Sequence, residues 1–151
     1  MKTTGIRISD GKNGILCVEL PDILEEIDNG ESFFWAIPFS ETVFISQVKD
    51  FTVNLQDKIE QTKNGIRLTW DELNSFSEDI HQSIDLLVIA SKDKDLLRSY
   101  DSDKQMYETC DIVIEMIDSS YWEVFSKDRA LIDRLAKKFE DIEFLESDFK
   151  K

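Results

Sequence analysis

Apolar and polar positions alternate most clearly between residues 110 and 125, where the pattern predicts a β-hairpin. The segment 112–117 has one wholly apolar face and one mixed face, which is typical of a largely buried strand. Asp118-Ser119-Ser120 is a turn signal, because short oxygen-bearing side chains bond to their own backbone. Tyr121 to Phe125 then returns as a second strand that is rich in aromatic and β-branched residues.

A helix is predicted directly after this hairpin. Ser126 is a suitable N-cap for it, with Asp128 in the first turn, where a negative charge suits the helix dipole. The apolar residues of the helix fall on one stripe: Leu131, Ile132, Leu135, Ala136 and Phe139. The segment 141–146, in which Ile142 and Phe144 alternate with acids, predicts a last strand.

The first part of the chain predicts several short elements. Strands at 5–9 and 15–20, joined by a turn at 10–14, suggest an N-terminal hairpin. Pro21 suits the first position of a short helix that runs to Ile27.

The aromatic run 33–37 predicts a central strand that Pro38 ends, because proline has no N–H to donate. A separate strand is predicted over 42–48. The pattern of 50–62 fits a strand and a helix equally, so both interpretations stay open.

The middle of the chain carries the clearest helix start. Thr69 and Glu72 form a capping box, and Leu73, Phe76 and Ile80 mark the buried stripe of the helix that follows. Apolar residues fill 86–90, which predicts a strand covered on both faces, before a charged loop. We therefore predict one α+β domain over residues 1–151, with a mixed, mainly antiparallel sheet of about six strands and three or four helices.

The charge of the chain narrows the classes of partner. The net charge of −14 argues against nucleic acid and anionic membranes, both of which attract clustered lysine and arginine. It favours a basic protein partner, although acids also simply keep a protein soluble. A membrane span and a signal peptide are both missing from the sequence pattern, so we expect a cytoplasmic protein, with Cys17 and Cys110 buried and reduced.

Few residues in the chain suggest catalysis or metal binding. His81 is the only histidine, and its polar neighbours predict an exposed place on a helix face. One histidine and two cysteines do not make the usual zinc set, and the acidic segment from Asp101 lacks the glycine and glutamate of a calcium loop. We expect no metal and no cofactor.

Acidic residues are segregated along the chain. Three segments, 13–48, 68–91 and 105–126, hold seven, five and five acids and no lysine or arginine. Such segregation favours broad negative surface, which speeds the capture of a cationic partner. Tyr121 and Trp122 point to opposite faces of a strand, so one belongs to the core and the other is a candidate interface anchor. The predicted partner-binding residues are Glu78, Asp79, Asp111, Glu115, Asp118, Tyr121, Trp122 and Glu123.

The segment DIVIEMIDSSYWEVFSKD, followed by an apolar-striped helix and the strand DIEFLE, resembles the C-terminal part of small bacterial proteins. The positions that carry this resemblance are Asp118, Ser120, Trp122, Lys127 and Asp128. As a small acidic α+β chain, the protein is also similar in type to immunity proteins of bacterial polymorphic toxin systems. That resemblance implies a non-enzymatic, stoichiometric inhibitor that covers the basic active cleft of a toxin domain, often a nuclease.

Two other classes of function stay open. The acids of the hairpin 111–123 could supply the carboxylate pair of a small enzyme, such as a glycosidase, which would need a concave pocket there. A structural or scaffold subunit would instead present a large apolar patch. The sequence pattern leaves the sheet order and the oligomeric state open.

Overall fold

A seven-stranded antiparallel sheet forms the framework of the protein, and a computed structural model describes residues 4–62 and 65–146. The strands are β1 (Thr4–Ile8), β2 (Gly11–Lys12), β3 (Ile15–Leu16), β4 (Phe34–Phe44), β5 (Ile66–Leu68), β6 (Ile80–Ser91), β7 (Ile112–Ile117), β8 (Tyr121–Ser126) and β9 (Ile142–Glu146). The helices are α1 (Leu20–Leu24), α2 (Asp50–Gln61), α3 (Trp70–Glu78), α4 (Asp103–Thr109) and α5 (Arg129–Lys138). The sheet order is β5-β4-β6-β7-β8-β1-β9, and β2 and β3 form a separate hairpin.

The predicted α+β class and the mainly antiparallel sheet are confirmed. The β7–β8 hairpin lies where the alternation placed it, and its strands pair from Ile112 with Ser126 to Ile117 with Tyr121. The main sheet has one strand more than expected, and α4 replaces part of the charged loop that the sequence predicts. The sequence also predicts a turn at Asn64-Gly65 and a frayed tail at Lys150-Lys151, but Asn64 and the tail lie outside the described residues.

The two faces of the sheet are covered to different extents. Trp35, Trp122 and Val124 project from one face into the main core, which also takes in apolar residues of α1, α2, α3 and α5. On the other face, a smaller cluster packs residues 97–110 against Ile89, Val113 and Phe125. Because this smaller cover reaches only one end of the strands, the sheet has one covered face and one face that is half open.

The predicted N-terminal hairpin is wrong. β1 does not pair with residues 15–20 but lies between β8 and β9. This position buries Ile6 and Ile8 completely on the core face. The turn residues Asn13 and Gly14 instead join β2 to β3, and both have the left-handed φ that a tight hairpin turn requires.

The prediction that Pro38 ends a strand is also wrong. β4 continues through Pro38, and the pairing with β6 shifts its register between Ala36 and Phe39. A bulge of this kind leaves one residue unpaired, so a proline without an N–H is tolerated there. The segment 50–62, for which the sequence left both a strand and a helix open, forms α2. Its buried residues Thr52, Leu55 and Ile59 all lie on one side of this helix.

Three smaller predictions are corrected near the ends of helices. α3 keeps its capping box but ends at Glu78, so that Ile80 and the exposed His81 belong to β6. The cap of α5 is Asp128, whose side chain accepts the N–H of Ala130 at 3.0 Å. Ser126, the predicted cap, lies two residues earlier, and its hydroxyl accepts the Asp128 N–H at 2.9 Å.

The two cysteines lie in different environments. Both are free thiols. Cys110 is buried, as predicted, in the smaller cluster. Cys17 is exposed, because it directly follows the separate β2–β3 hairpin and does not belong to the buried strand that the sequence suggested.

Candidate protein-interaction surface

The half-open face of the sheet carries two rows of side chains that cross several strands. Strand pairing places Phe39 of β4 opposite Leu87 of β6, and Leu87 opposite Glu115 of β7. Residues directly opposite each other in neighbouring strands project from the same face. A second, parallel row begins with Glu41 of β4 opposite Asp85 of β6 and ends with Ile117 of β7 opposite Tyr121 of β8. We call these residues, with Asp118 in the adjoining turn, the open-face patch: Phe39, Glu41, Asp85, Leu87, Glu115, Ile117, Asp118 and Tyr121.

The open-face patch mixes apolar surface with carboxylates. Phe39 is 51% exposed, which is unusual for a phenylalanine on the face of a sheet. Leu87, opposite Phe39, and Ile117 and Tyr121 of the second row are partly exposed. The acids Glu41 and Asp118 are exposed at the margin. A contiguous surface of this composition is typical of protein-binding sites.

Arg7, a positively charged residue beside the patch, is paired with a buried carboxylate. Arg7 of β1 donates to the carboxylate of Glu123 through Nε at 2.9 Å and Nη2 at 2.6 Å. Its guanidinium also lies over the ring of Tyr121, 4.4 Å from the centroid. The hydrogen bond with Glu123 raises the pKa of Arg7. The acids of the open-face patch therefore set the sign of its field.

A tyrosine from α4 orients one of these acids. The hydroxyl of Tyr107 donates to Oε1 of Glu115 at 3.2 Å. The ring of Tyr107 stacks on Phe125 with 3.8 Å between centroids, which fixes its position. Burial, together with the charge of Glu115, raises the pKa of Tyr107 and keeps its hydroxyl protonated. Glu115 is thus held in place at the border between the covered and the open half of the face.

The predicted site residues on the hairpin fall on both sides of the sheet. Glu115, Asp118 and Tyr121 belong to the open-face patch. Trp122 is 0% exposed in the main core, where its Nε1–H donates to the Val18 carbonyl at 2.9 Å. Glu123 is also fully buried, under Arg7. Trp122 and Glu123 are therefore inaccessible to a partner in this structure, and the outward aromatic of the pair is Tyr121.

Three further predicted residues lie away from the patch. Asp111 precedes β7 at the opposite end from Ile117, and it accepts the Lys92 N–H at 2.8 Å. Glu78 is exposed at the end of α3. Asp79, the next residue, is buried and accepts bonds from Lys49 and Thr52, so its role is structural. The structure does not bring these three residues together with the hairpin acids.

The geometry of the hairpin acids also bears on the enzyme alternative. Glu115 and Glu123 are directly opposite in the β7–β8 pair, as a carboxylate pair would be. However, the Glu123 side chain is enclosed and takes both bonds from Arg7, which leaves a substrate no path to it in this structure. Within residues 4–62 and 65–146, no three His, Cys, Asp or Glu side chains converge as metal ligands would.

Sequence reasoning missed five residues of the open-face patch: Phe39, Glu41, Asp85, Leu87 and Ile117. Phe39 and Glu41 lie on the part of β4 between the two strands that the sequence pattern predicted, 33–37 and 42–48. Asp85 belongs to β6 but precedes the strand that the pattern predicted over 86–90. The polar residues among the apolar run of 39–44 were the available signal, because they indicate a strand with one solvent-facing side.

No helix within the described part of the chain has both the length and the apolar content needed to cross a membrane. Comparison with known proteins gives no match to a family model, to a curated protein or to a solved structure.

Proposed function

We propose that this chain is a non-enzymatic binding protein of the immunity type, which neutralises a basic toxin domain through the open-face patch. The observation that carries the proposal is the exposed Phe39, which shares a row with Leu87 and Glu115 and lies next to the row that begins with Glu41 and Asp85. An aromatic side chain with partly buried neighbours is a frequent anchor of protein interfaces. The surrounding acids match the positive surface that such a toxin needs to hold a polyanionic substrate.

The scaffold supports this function by holding the patch rigidly. The patch lies on four strands of one sheet, and Glu115 is oriented by Tyr107. Side chains that are already fixed lose little conformational entropy when a partner binds. Arg7 adds no repulsion toward a basic partner, since Glu123 neutralises it.

A photo-crosslinking experiment tests the proposal. A benzophenone side chain replaces Phe39 in one variant and Val53 in a control variant, because Val53 is also exposed but lies on α2. The protein is irradiated in extract of its own host at low and at high salt. We expect one basic protein to be crosslinked from position 39 and not from position 53, with a yield that falls as salt rises.

Association kinetics with that partner give the second readout. Glu41→Lys and Glu115→Lys reverse charges in the patch, and Glu60→Lys is the control on α2. We expect the patch variants to associate about tenfold more slowly and the control to associate as the wild type does. Unchanged association of both patch variants, or equal crosslinking from positions 39 and 53, would refute the assignment.

A further inference from the structure

A cavity of about 370 Å³ lies at the β5 edge of the sheet, away from the open-face patch. Its lining includes three aromatic residues, Phe33, Phe34 and Trp70. Two exposed acids, Glu31 and Asp71, also line it. Among the described residues, those that line this cavity include no lysine or arginine. It therefore combines aromatic rings with negative charge.

Trp70 is held firmly in this cavity. It is the first residue of α3, which the capping box of Thr69 and Glu72 starts at this point. The backbone of Gly30 packs directly on its indole, since a Cβ at position 30 would lie 2.3 Å from the ring. The rings of Trp35 and Trp70 also contact each other, with 5.2 Å between their centroids. The aromatic wall is thus formed before any ligand arrives.

The aromatic rings and carboxylates that line the cavity favour a positively charged ligand. The faces of aromatic rings carry negative electrostatic potential and attract ammonium and guanidinium groups. The carboxylates of Glu31 and Asp71 attract the same groups and repel anions. Nζ of Lys92 already lies 5.8 Å from the ring centroid of Phe33, so Phe34 and Trp70 are the lining rings that a ligand would meet. We propose that this edge cavity binds an organic cation, an alkylammonium or guanidinium group.

Three small probes test the proposal on the intact protein. Choline carries a quaternary ammonium, and 3,3-dimethyl-1-butanol is its neutral isostere. N-acetylarginine amide presents a guanidinium as a protein side chain would. Trp35 and Trp122 are fully buried whereas Trp70 is partly exposed, so a saturable change in tryptophan fluorescence reports on Trp70.

We expect choline or the arginine amide to bind at least about tenfold more tightly than the neutral isostere, because the isostere lacks the attraction of charge to the rings. Tighter binding of choline assigns the cavity to a small quaternary ammonium compound. Tighter binding of the arginine amide assigns it to a basic side chain of another protein. Equal binding of the isostere, or the lack of saturation with both cations, overturns the proposal.

A matched pair of variants ties binding to the cavity. Phe34→Leu removes a ring that lines it, and Phe144→Leu removes a ring of similar exposure on β9, 50% against 53%. We expect about fivefold weaker cation binding for Phe34→Leu and no change for Phe144→Leu. The double variant Glu31→Gln and Asp71→Asn should weaken binding further. Wild-type affinity of Phe34→Leu, with its thermal unfolding unchanged, would refute the site, and this result is independent of the partner proposed for the open-face patch.

Discussion

At the scale of single residues, buried polar groups join elements that are distant in the chain. Asp79 accepts the Lys49 N–H at 3.0 Å, Lys49 Nζ at 2.7 Å and the Thr52 hydroxyl at 2.7 Å. These bonds fasten the first turn of α2 to the end of α3. Thr52 is itself fully buried, so its hydroxyl depends on this carboxylate for a partner.

Removal of this carboxylate should be costly. We expect Asp79→Ala to lower the free energy of unfolding by about 2–3 kcal/mol, because it leaves the buried Thr52 hydroxyl and the Lys49 N–H without their acceptor. The neighbouring variant Glu78→Ala removes an exposed acid and should change stability by less than about 0.5 kcal/mol. Urea titrations of both variants measure the difference, and equal effects would contradict the structural role of Asp79.

Asp79 should also make stability depend on pH. Although burial opposes it, the bonds from Lys49 and Thr52 hold the pKa of Asp79 below its ordinary value. The unfolded carboxyl titrates near about pH 3.9, so the stabilisation is complete above that pH and is lost as the pH falls through the lower pKa of the folded state. The stability difference between wild type and Asp79→Asn should therefore shrink below about pH 4. A difference that stays constant between pH 6 and pH 2 would contradict this.

The Arg7–Glu123 pair should behave as a buried ion pair. Glu123 is fully enclosed whereas the Arg7 side chain is 29% exposed. We expect Arg7→Leu to cost about 3 kcal/mol, since it leaves a buried carboxylate without its main counter-ion. The double variant Arg7→Leu/Glu123→Leu should recover to within about 1 kcal/mol of wild type. Additive losses in this double-mutant cycle would show that the two residues act separately.

At the scale of elements, the β7–β8 turn stores strain. Asp118 and Ser119 both have positive φ, 48° and 57°, as the two central residues of a type I′ turn do, and such a turn favours glycine at its second central position. We expect Ser119→Gly to raise the free energy of unfolding by about 0.5 kcal/mol, because relief of the left-handed strain exceeds the entropy that glycine adds to the unfolded chain. Ser119→Val should lower it by about 1 kcal/mol or more. Thermal unfolding of the two variants checks the opposite signs.

The sequence predicts the elements that depend on residues close together in the chain. It does not predict those that depend on pairing between strands that are distant in the chain. The β7–β8 hairpin and the capping box of α3 depend on residues within a few positions of each other. The passage of β4 through Pro38 depends instead on a bulge opposite β6. A one-dimensional pattern contains no information on such register, because long-range pairing overrides local preference.

At the scale of the whole molecule, acids dominate the electrostatic field. Because the net charge is −14, repulsion among surface carboxylates opposes folding at low ionic strength. We expect the free energy of unfolding to rise by about 1 kcal/mol between low and moderate salt, as the Debye length falls to about 8 Å. A variant with Glu31, Glu41 and Glu60 changed to glutamine should gain less from salt. Urea titrations at two salt concentrations test this, and a fall in wild-type stability with salt would contradict it.

The candidate site shows the same division between local and distant information. Glu115, Asp118 and Tyr121 could be named from one hairpin. The patch is complete only when β4 and β6 bring Phe39, Glu41 and Asp85 alongside, and that assembly depends on the sheet order. Charge segregation along the chain indicates the sign of the surface, whereas the fold determines which acids share a face.

The place of β1 in the sheet has a consequence for synthesis on the ribosome. β1 emerges before every other described strand, yet its partners β8 and β9 are made last, and Arg7 lies 116 positions before Glu123. Until β8 has left the exit tunnel, β1 has no native neighbour in the sheet. The edge of β8 is then unpaired until β1 binds to it. Closure of such long loops slows folding and exposes strand edges. This half of the sheet therefore assembles only after translation has passed β8, a step at which a chaperone would protect the chain.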